Sequence, residues 1–282
     1  MVHTGGIGDF ILTCPAMACL PSSTTLTLLG NRERLELAVA GGLASAAYSL
    51  EAVEFHTVFT QPSTRLNDFL AGYHRVVVWM ADKDGVLTRS IQLCGIQDAM
   101  CFPGIPPNDW NRPAAEYFAD CLGIPPKLLP EYPVLQGLGV DISSADRLSA
   151  NSAVIHPGSG GRHKCWPVEN YQRLTEALLQ KHYTVYWSLG PADEDIPIPM
   201  GVRTLPCSDL VRLGRILASA AWYIGNDSGI THLAAAVGCP VLAIFGPTNP
   251  RVWAPVGNQV HVLQVKNGWP TVCDVVNRIP AR

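Results

Sequence analysis

Three glycine-bearing segments hold the side chains that could handle a phosphorylated substrate: GGIGDFILTCPA (Gly5 to Ala16), HPGSGGRHKCWPVENY (His156 to Tyr171) and GNDSGITHLAAAVGCPVLAIFGPTNP (Gly225 to Pro250). In the third, the apolar run Trp222 to Ile224 reads as a strand and Asp227 as the cap of the helix that follows. Ser228, Gly229 and Ile230 would then present backbone N–H groups with no intrahelical acceptor at the positive end of the helix dipole, which suits a diphosphate. Gly229 would let the ligand approach closely, Ser228 and Thr231 would add hydroxyl donors, and His232, four residues past Ser228, would share its helix face. The same pattern also fits an ordinary capped helix packed on a sheet.

The second segment places Pro157, Gly158, Ser159, Gly160 and Gly161 directly after an apolar strand, a loop able to bring backbone donors to a ligand. Lys164 follows, where an ammonium could neutralise charge on a phosphate leaving group or else sit solvated at the surface. In the first segment Gly5, Gly6 and Gly8 allow a sharp turn, and Asp9 heads an apolar helix. Asp9 is either a helix cap or a general base within reach of an acceptor hydroxyl. Neither a Walker A spacing nor GxGxxG is spelled here, which argues against a P-loop or a nicotinamide site.

These segments need strand ends and helix starts behind them. The first half alternates apolar and helical stretches: Thr24 to Leu29, Asn31 to Ala40, Val53 to Phe59, Val76 to Met80. The second repeats the rhythm with a strand at Ala153 to His156, a helix at Val168 to Gln180, a strand at Thr184 to Leu189, and a helix at Asp209 to Ala220. A strand at Trp222 to Ile224, a helix at Gly229 to Val237 and a strand at Val241 to Phe245 follow. Strands alternating with helices predict an α/β protein with parallel sheets. The stretch Pro125 to Ala150, rich in Pro, Gly and Ser, reads as a linker between an N-terminal domain over 1–140 and a C-terminal domain over 151–282. A hinge there would let the halves close on substrate. Only Met1 to Thr4 precede Gly5, where a strand of about five or six residues is usual, so the opening strand is read as truncated or as starting upstream.

The chain of 282 residues has 48% hydrophobic and 15% charged residues, enough apolar material for buried cores. A net charge of -3 argues against nucleic acid as a partner. Nine cysteines without a CxxC pair suit a reducing cytoplasm, and no apolar run approaches the roughly 18 residues of a spanning helix. Peripheral contact with a membrane surface stays open, because a local patch escapes composition.

In their order and spacing the three segments, with a looser echo at GVLTRS (Gly85 to Ser90), resemble glycosyltransferase family 9, the ADP-heptose lipopolysaccharide heptosyltransferases. The resemblance implies the GT-B architecture: two Rossmann-like domains facing a cleft, acceptor on the N-terminal one and nucleotide sugar on the C-terminal one, the last residues packing back on the N-terminal domain. It implies an inverting transfer without metal or other cofactor, from an ADP-linked heptose to a glycan or glycolipid acceptor of the lipopolysaccharide core, at the cytoplasmic face of the inner membrane. Asp9 matches the family's base, Lys164 the lysine near the donor phosphates, and Asp227, Ser228, Gly229 and His232 the donor motif. Gly8, Ser159, Gly160 and Thr231 join the donor set, Glu194 is chosen over Asp193 for the nucleoside, and Arg89 is a candidate for an anionic acceptor.

Three other readings compete. A metal-dependent transferase would use an Asp-x-Asp pair, spelled at Asp82 to Asp84 and at Asp193 to Asp195. A nucleotide-sugar epimerase or isomerase could use the same scaffold, and a catalytically impaired nucleotide-sugar-binding protein could keep only the donor motif. The histidines and cysteines show no zinc-ligand spacing.

Overall fold

The computed structural model describes residues 1–282 except 141, 191, 192, 194, 207, 281 and 282. The first half runs β1 (Val2–His3), α1 (Ile7–Ala18), β2 (Thr27–Gly30), α2 (Arg32–Ala40), β3 (Ala46–Ser49), α3 (Thr64–Leu70), β4 (Arg75–Trp79), α4 (Val86–Leu93), β5 (Asp98–Phe102) and α5 (Ala114–Cys121). Its strands form one parallel sheet in the order β3-β2-β1-β4-β5. The second half runs β6 (Ser152–His156), α6 (Val168–Gln180), β7 (Thr184–Leu189), β8 (Arg203–Pro206), α7 (Leu210–Ala218), β9 (Trp222–Asn226), α8 (Gly229–Ala236), β10 (Val241–Phe245), α9 (Pro250–Trp253), β11 (Val260–Gln264) and α10 (Val272–Val276). Its sheet, also parallel, has the order β11-β10-β9-β6-β7-β8.

In both sheets the chain reverses direction from a central strand, so loops diverge there and leave a crevice beyond the strand ends. The first sheet turns at β1, between β2 and β4, and the second at β6, between β9 and β7. β1 has two residues but is paired on both sides, Val2 with Leu29 and Val78, His3 with Gly30 and Trp79. The expected strand at Val53 to Phe59 is instead two 3-10 turns, Glu51–Val53 and Phe55–Phe59, joined by Glu54 in the left-handed region at φ 55°. Phe55 and Val58, three apart, share one buried face, and Ala46–Ser49 takes the edge of the sheet.

The halves share a core. Phe10, Ile11, Cys14 and Met17 of α1 pack in one cluster with Leu213 and Leu217 of α7 and Leu233 and Ala234 of α8. The stretch expected to be a linker contributes Val134, Leu135 and Leu138 to it, and the Leu135 N–H donates to the Ala236 carbonyl at 2.8 Å. Opening a hinge there would expose buried leucines, so the tether expected from Pro, Gly and Ser content is in part a wedge. The C-terminal residues also differ from expectation. Val275 and Ile279 join the core of the second sheet, and Lys181 at the end of α6 donates to the Val276 and Ile279 carbonyls, so α10 packs on α6 rather than on the first sheet. Among the described residues no helix is long and apolar enough to cross a membrane.

Candidate active site

The turn between β9 and α8 is built around Asn226, which is wholly buried at the end of β9. Its amide nitrogen donates to the Pro157 and Gly158 carbonyls, and its Oδ1 accepts from the Trp166 backbone N–H and the Tyr171 hydroxyl. One side chain thereby ties the Gly158 loop, the start of α6 and β9 together. The cap of α8 is Ser228, whose hydroxyl accepts from the Thr231 N–H at 3.3 Å, and not Asp227 as the sequence suggested. Released from capping, the Asp227 carboxylate pairs with the Lys164 ammonium at 3.1 Å and holds it beside the helix start. Ser159 donates to the Asp227 carbonyl at 2.6 Å, locking the glycine loop to the same turn.

On the facing sheet, α1 starts with Gly6 as its cap residue, which has no side chain to offer. Asp9, in the first turn, reaches back and accepts from the Gly6 N–H at 3.0 Å through Oδ2. The capping role and a role facing the cleft are therefore compatible: among the described residues Oδ1 carries no hydrogen bond. Beneath the turn lies His3, almost fully buried, its ring edge-on to Phe10 at 5.3 Å. Burial, with a smaller contribution from the nearby Arg34 charge, pushes the His3 pKa down to about 4.

The two helix starts meet. A Cβ at Gly229 would fall 2.7 Å from the Cβ of Ile7, and one at Gly8 would fall 3.0 Å from Cδ2 of His232. These glycines make room for each other's helix, and both also line the cleft between them. The result is a cleft of about 440 Å³ whose lining includes Asp9, Arg34, His156, Ser159, Gly160, Lys164, Asp193, Asp227, Ser228 and His232. Burial lowers the pKa of His232, against the pull of the Asp227 and Asp9 carboxylates, and Lys164 lowers it further. His156, whose Nδ1 lies 2.8 Å from the Ser188 carbonyl, is also lowered by burial, against that carbonyl and Asp193. The cleft's positive charges include the Lys164 ammonium, the Arg34 guanidinium and the N-termini of α1 and α8.

Two sequence-predicted residues fall outside the cleft lining. Thr231 is fully buried with its hydroxyl directed at the Asn226 carbonyl, Tyr223 and Ser228, because a residue three past the cap faces back into the turn. Arg89 is exposed on α4 and donates to the Asp84 carbonyl. Glu194 lies outside the described residues, while Asp193 lines the cleft and accepts from the Gly190 N–H at 2.9 Å. Asp82, of the first Asp-x-Asp tripeptide, spends its carboxylate on the Leu87 and Thr88 N–H groups and the Thr88 hydroxyl at the start of α4. Sequence reasoning missed Arg34, His156 and Trp253 in the lining. His156, the last residue of an apolar strand before a glycine loop, was the one with a readable signal.

Two open parallel sheets that meet at the ends of their strands, with helix N-termini and an ammonium in the crevice, define the class of doubly wound, two-domain α/β proteins. A family model described as Glycosyltransferase family 9 (heptosyltransferase) matches residues 115–277, more than half of the sequence, and the chain belongs to that family. Lipopolysaccharide heptosyltransferase 3 of Escherichia coli (strain K12) is 34% identical over 112 residues, which cover 36% of this chain and 33% of the relative. The chain spans about a third of the length of the first curated relatives it matches. The solved structure of E. coli ADP-heptose lps heptosyltransferase II superposes with a TM-score of 0.74 at 17% identity, over 98% of this chain and 94% of that one. E. coli heptosyltransferase WaaC with ADP superposes with a TM-score of 0.69, also at 17% identity, over 98% and 97%. At such identity the likeness establishes the fold, the GT-B pairing of two Rossmann-like halves across a cleft. Asp9 precedes the matched range.

Proposed function

We propose that the chain is an inverting, metal-independent glycosyltransferase that moves a sugar, a heptose from ADP-heptose, onto a lipopolysaccharide-core or related glycan acceptor. The observation that carries this reading is the convergence of Asp9, Lys164 and the start of α8 on one cleft. Asp9 takes the proton of an acceptor hydroxyl through Oδ1 as the oxygen attacks the anomeric carbon from the face opposite the nucleotide. The bond from that carbon to the diphosphate breaks, its electron pair leaves on the phosphate, and the Lys164 ammonium with the α8 amides receives the charge. Family membership and the names of the relatives and solved structures, which specify lipopolysaccharide and ADP-heptose, support the choice of substrates. Because the protein itself supplies positive charge at the leaving group, the reading needs no cation.

A thermal-shift panel of ADP, UDP, GDP and CMP, each with a matching sugar nucleotide, tests the donor. ADP forms should stabilise most, by about 2.7 kcal/mol at 100 times Kd. Turnover of ADP-heptose with heptose-deficient lipopolysaccharide should be unchanged in EDTA. A stronger response to UDP forms, or loss of turnover with the chelator, would overturn the donor assignment or the metal independence respectively. ADP binding without turnover would favour the impaired binding protein.

A further inference from the structure

Arg34 lines the cleft on the side of the first sheet, yet no role follows for it from the transfer chemistry alone. It is half-buried in the first turn of α2, where Asn31 caps the helix by accepting the Arg34 backbone N–H at 3.2 Å. Its Nη1 donates to the Gly5 carbonyl at 2.7 Å, and among the described residues it makes no ion pair. The acceptor of that bond belongs to a particular peptide unit. The Gly5–Gly6 peptide offers its carbonyl to Arg34 and, from its other end, its N–H to Oδ2 of Asp9 at 3.0 Å. One peptide plane therefore stands between the guanidinium and the carboxylate.

Three observations make this relay matter. The cap residue of α1 is a glycine without a side-chain cap bond, and the strand before it has two residues, so local structure holds the turn weakly. His3 closes the inner side, since a Cβ at Gly5 would fall 2.9 Å from its Cε1, leaving the turn free to shift mainly outward. A cationic donor on a peptide carbonyl polarises the peptide and strengthens its N–H as a donor, here the N–H that fixes the Asp9 rotamer.

We propose that Arg34 is a positioning residue for Asp9: by gripping the Gly5 carbonyl it sets the Gly5–Gly6 peptide that holds Oδ2 and so aims Oδ1 at the acceptor hydroxyl. This rests on reading Asp9 as the base. A base displaced by about an ångström can cost ~100-fold in rate, and the loss falls on the chemical step rather than on binding.

Arg34→Ala and Arg34→Lys separate this from other roles, assayed by ADP release from ADP-heptose with heptose-deficient lipopolysaccharide beside wild type and Asp9→Asn. Arg34→Ala should lower kcat at least roughly tenfold while the KM values for donor and acceptor stay within about twofold, and Arg34→Lys, whose ammonium still reaches a carbonyl, should recover most of that loss. Should the alanine variant fail to fold, Arg34→Gln, which keeps a donor without charge, should fall between the lysine variant and inactivity. A normal kcat in Arg34→Ala, or a defect confined to either KM, overturns the positioning role; in the latter case the guanidinium binds substrate directly. Near-normal turnover by Asp9→Asn would instead remove the base assignment itself, whereas an inert Asp9→Asn beside a normal Arg34→Ala removes only the role of Arg34.

Discussion

The turns that open α1 and α8 do the same structural job on facing sheets, and they are built differently. The α8 turn follows a five-residue strand, is capped by Ser228 and is anchored by Asn226 through four hydrogen bonds to the Gly158 loop and the start of α6. The α1 turn follows two residues of strand, starts at a glycine, and is held by the Asp9 carboxylate and the Arg34 guanidinium. A site that receives charge gains from donors fixed before the reaction, since no reorganisation is then needed. A site that removes a proton must admit a second substrate, and a lightly held turn suits that.

The contrast can be broken most forcefully at Asn226. Asn226→Ala leaves the Pro157 and Gly158 carbonyls, the Trp166 N–H and the Tyr171 hydroxyl without these bonds, and it should cost about 4 kcal/mol or more in chemical denaturation, close to loss of folding. A loss near 1 kcal/mol would mean the α8 turn is no more over-determined than its counterpart.

Acid should weaken the protein through the histidines beneath both turns. An unfolded His3 titrates near 6.5 and the folded one at about 4. Between those values the unfolded chain binds more protons, so the stability is complete above about pH 6.5 and falls as the pH drops toward 4, by about 3 kcal/mol for this residue. His156 and His232 are shifted in the same direction and should add to the slope. Denaturant midpoints of His3→Phe between pH 4 and 7 should show a shallower decline than wild type, and a parallel decline would remove His3 as a source.

A subtler probe is the contact between the two helix starts. Gly229→Ala must push Ile7 away and should cost about 2 kcal/mol, more than the gain in helix propensity returns, with ADP binding weakened. Gly6→Ala, at a cap residue with φ -66°, should stay within about 1 kcal/mol in thermal melts. Equal costs would contradict the view that the helices touch at Gly229.

Much of the site was legible because strand ends followed by glycine, a small polar residue and an apolar helix announce themselves: β7, β10 and α6 fall on the expected residues, and Lys164, Asp227 and Asp9 share one cleft. What each glycine makes room for was not legible, since Gly8 and Gly229 answer to one another across more than 200 residues of sequence. The inward turn of Thr231 depends on Ser228 rather than Asp227 being the cap, a shift of one residue. Arg34 had no local mark at all, because its partner is a backbone carbonyl 29 residues away.

The most direct measurement is Asp9→Asn, followed by ADP binding in thermal shift and by sugar transfer in the same preparation. The account predicts transfer reduced by about 100-fold or more with ADP stabilisation close to wild type, since the amide keeps the Gly6 contact but takes no proton. Near-normal transfer, or ADP binding lost together with transfer, would contradict the division of labour between the two turns.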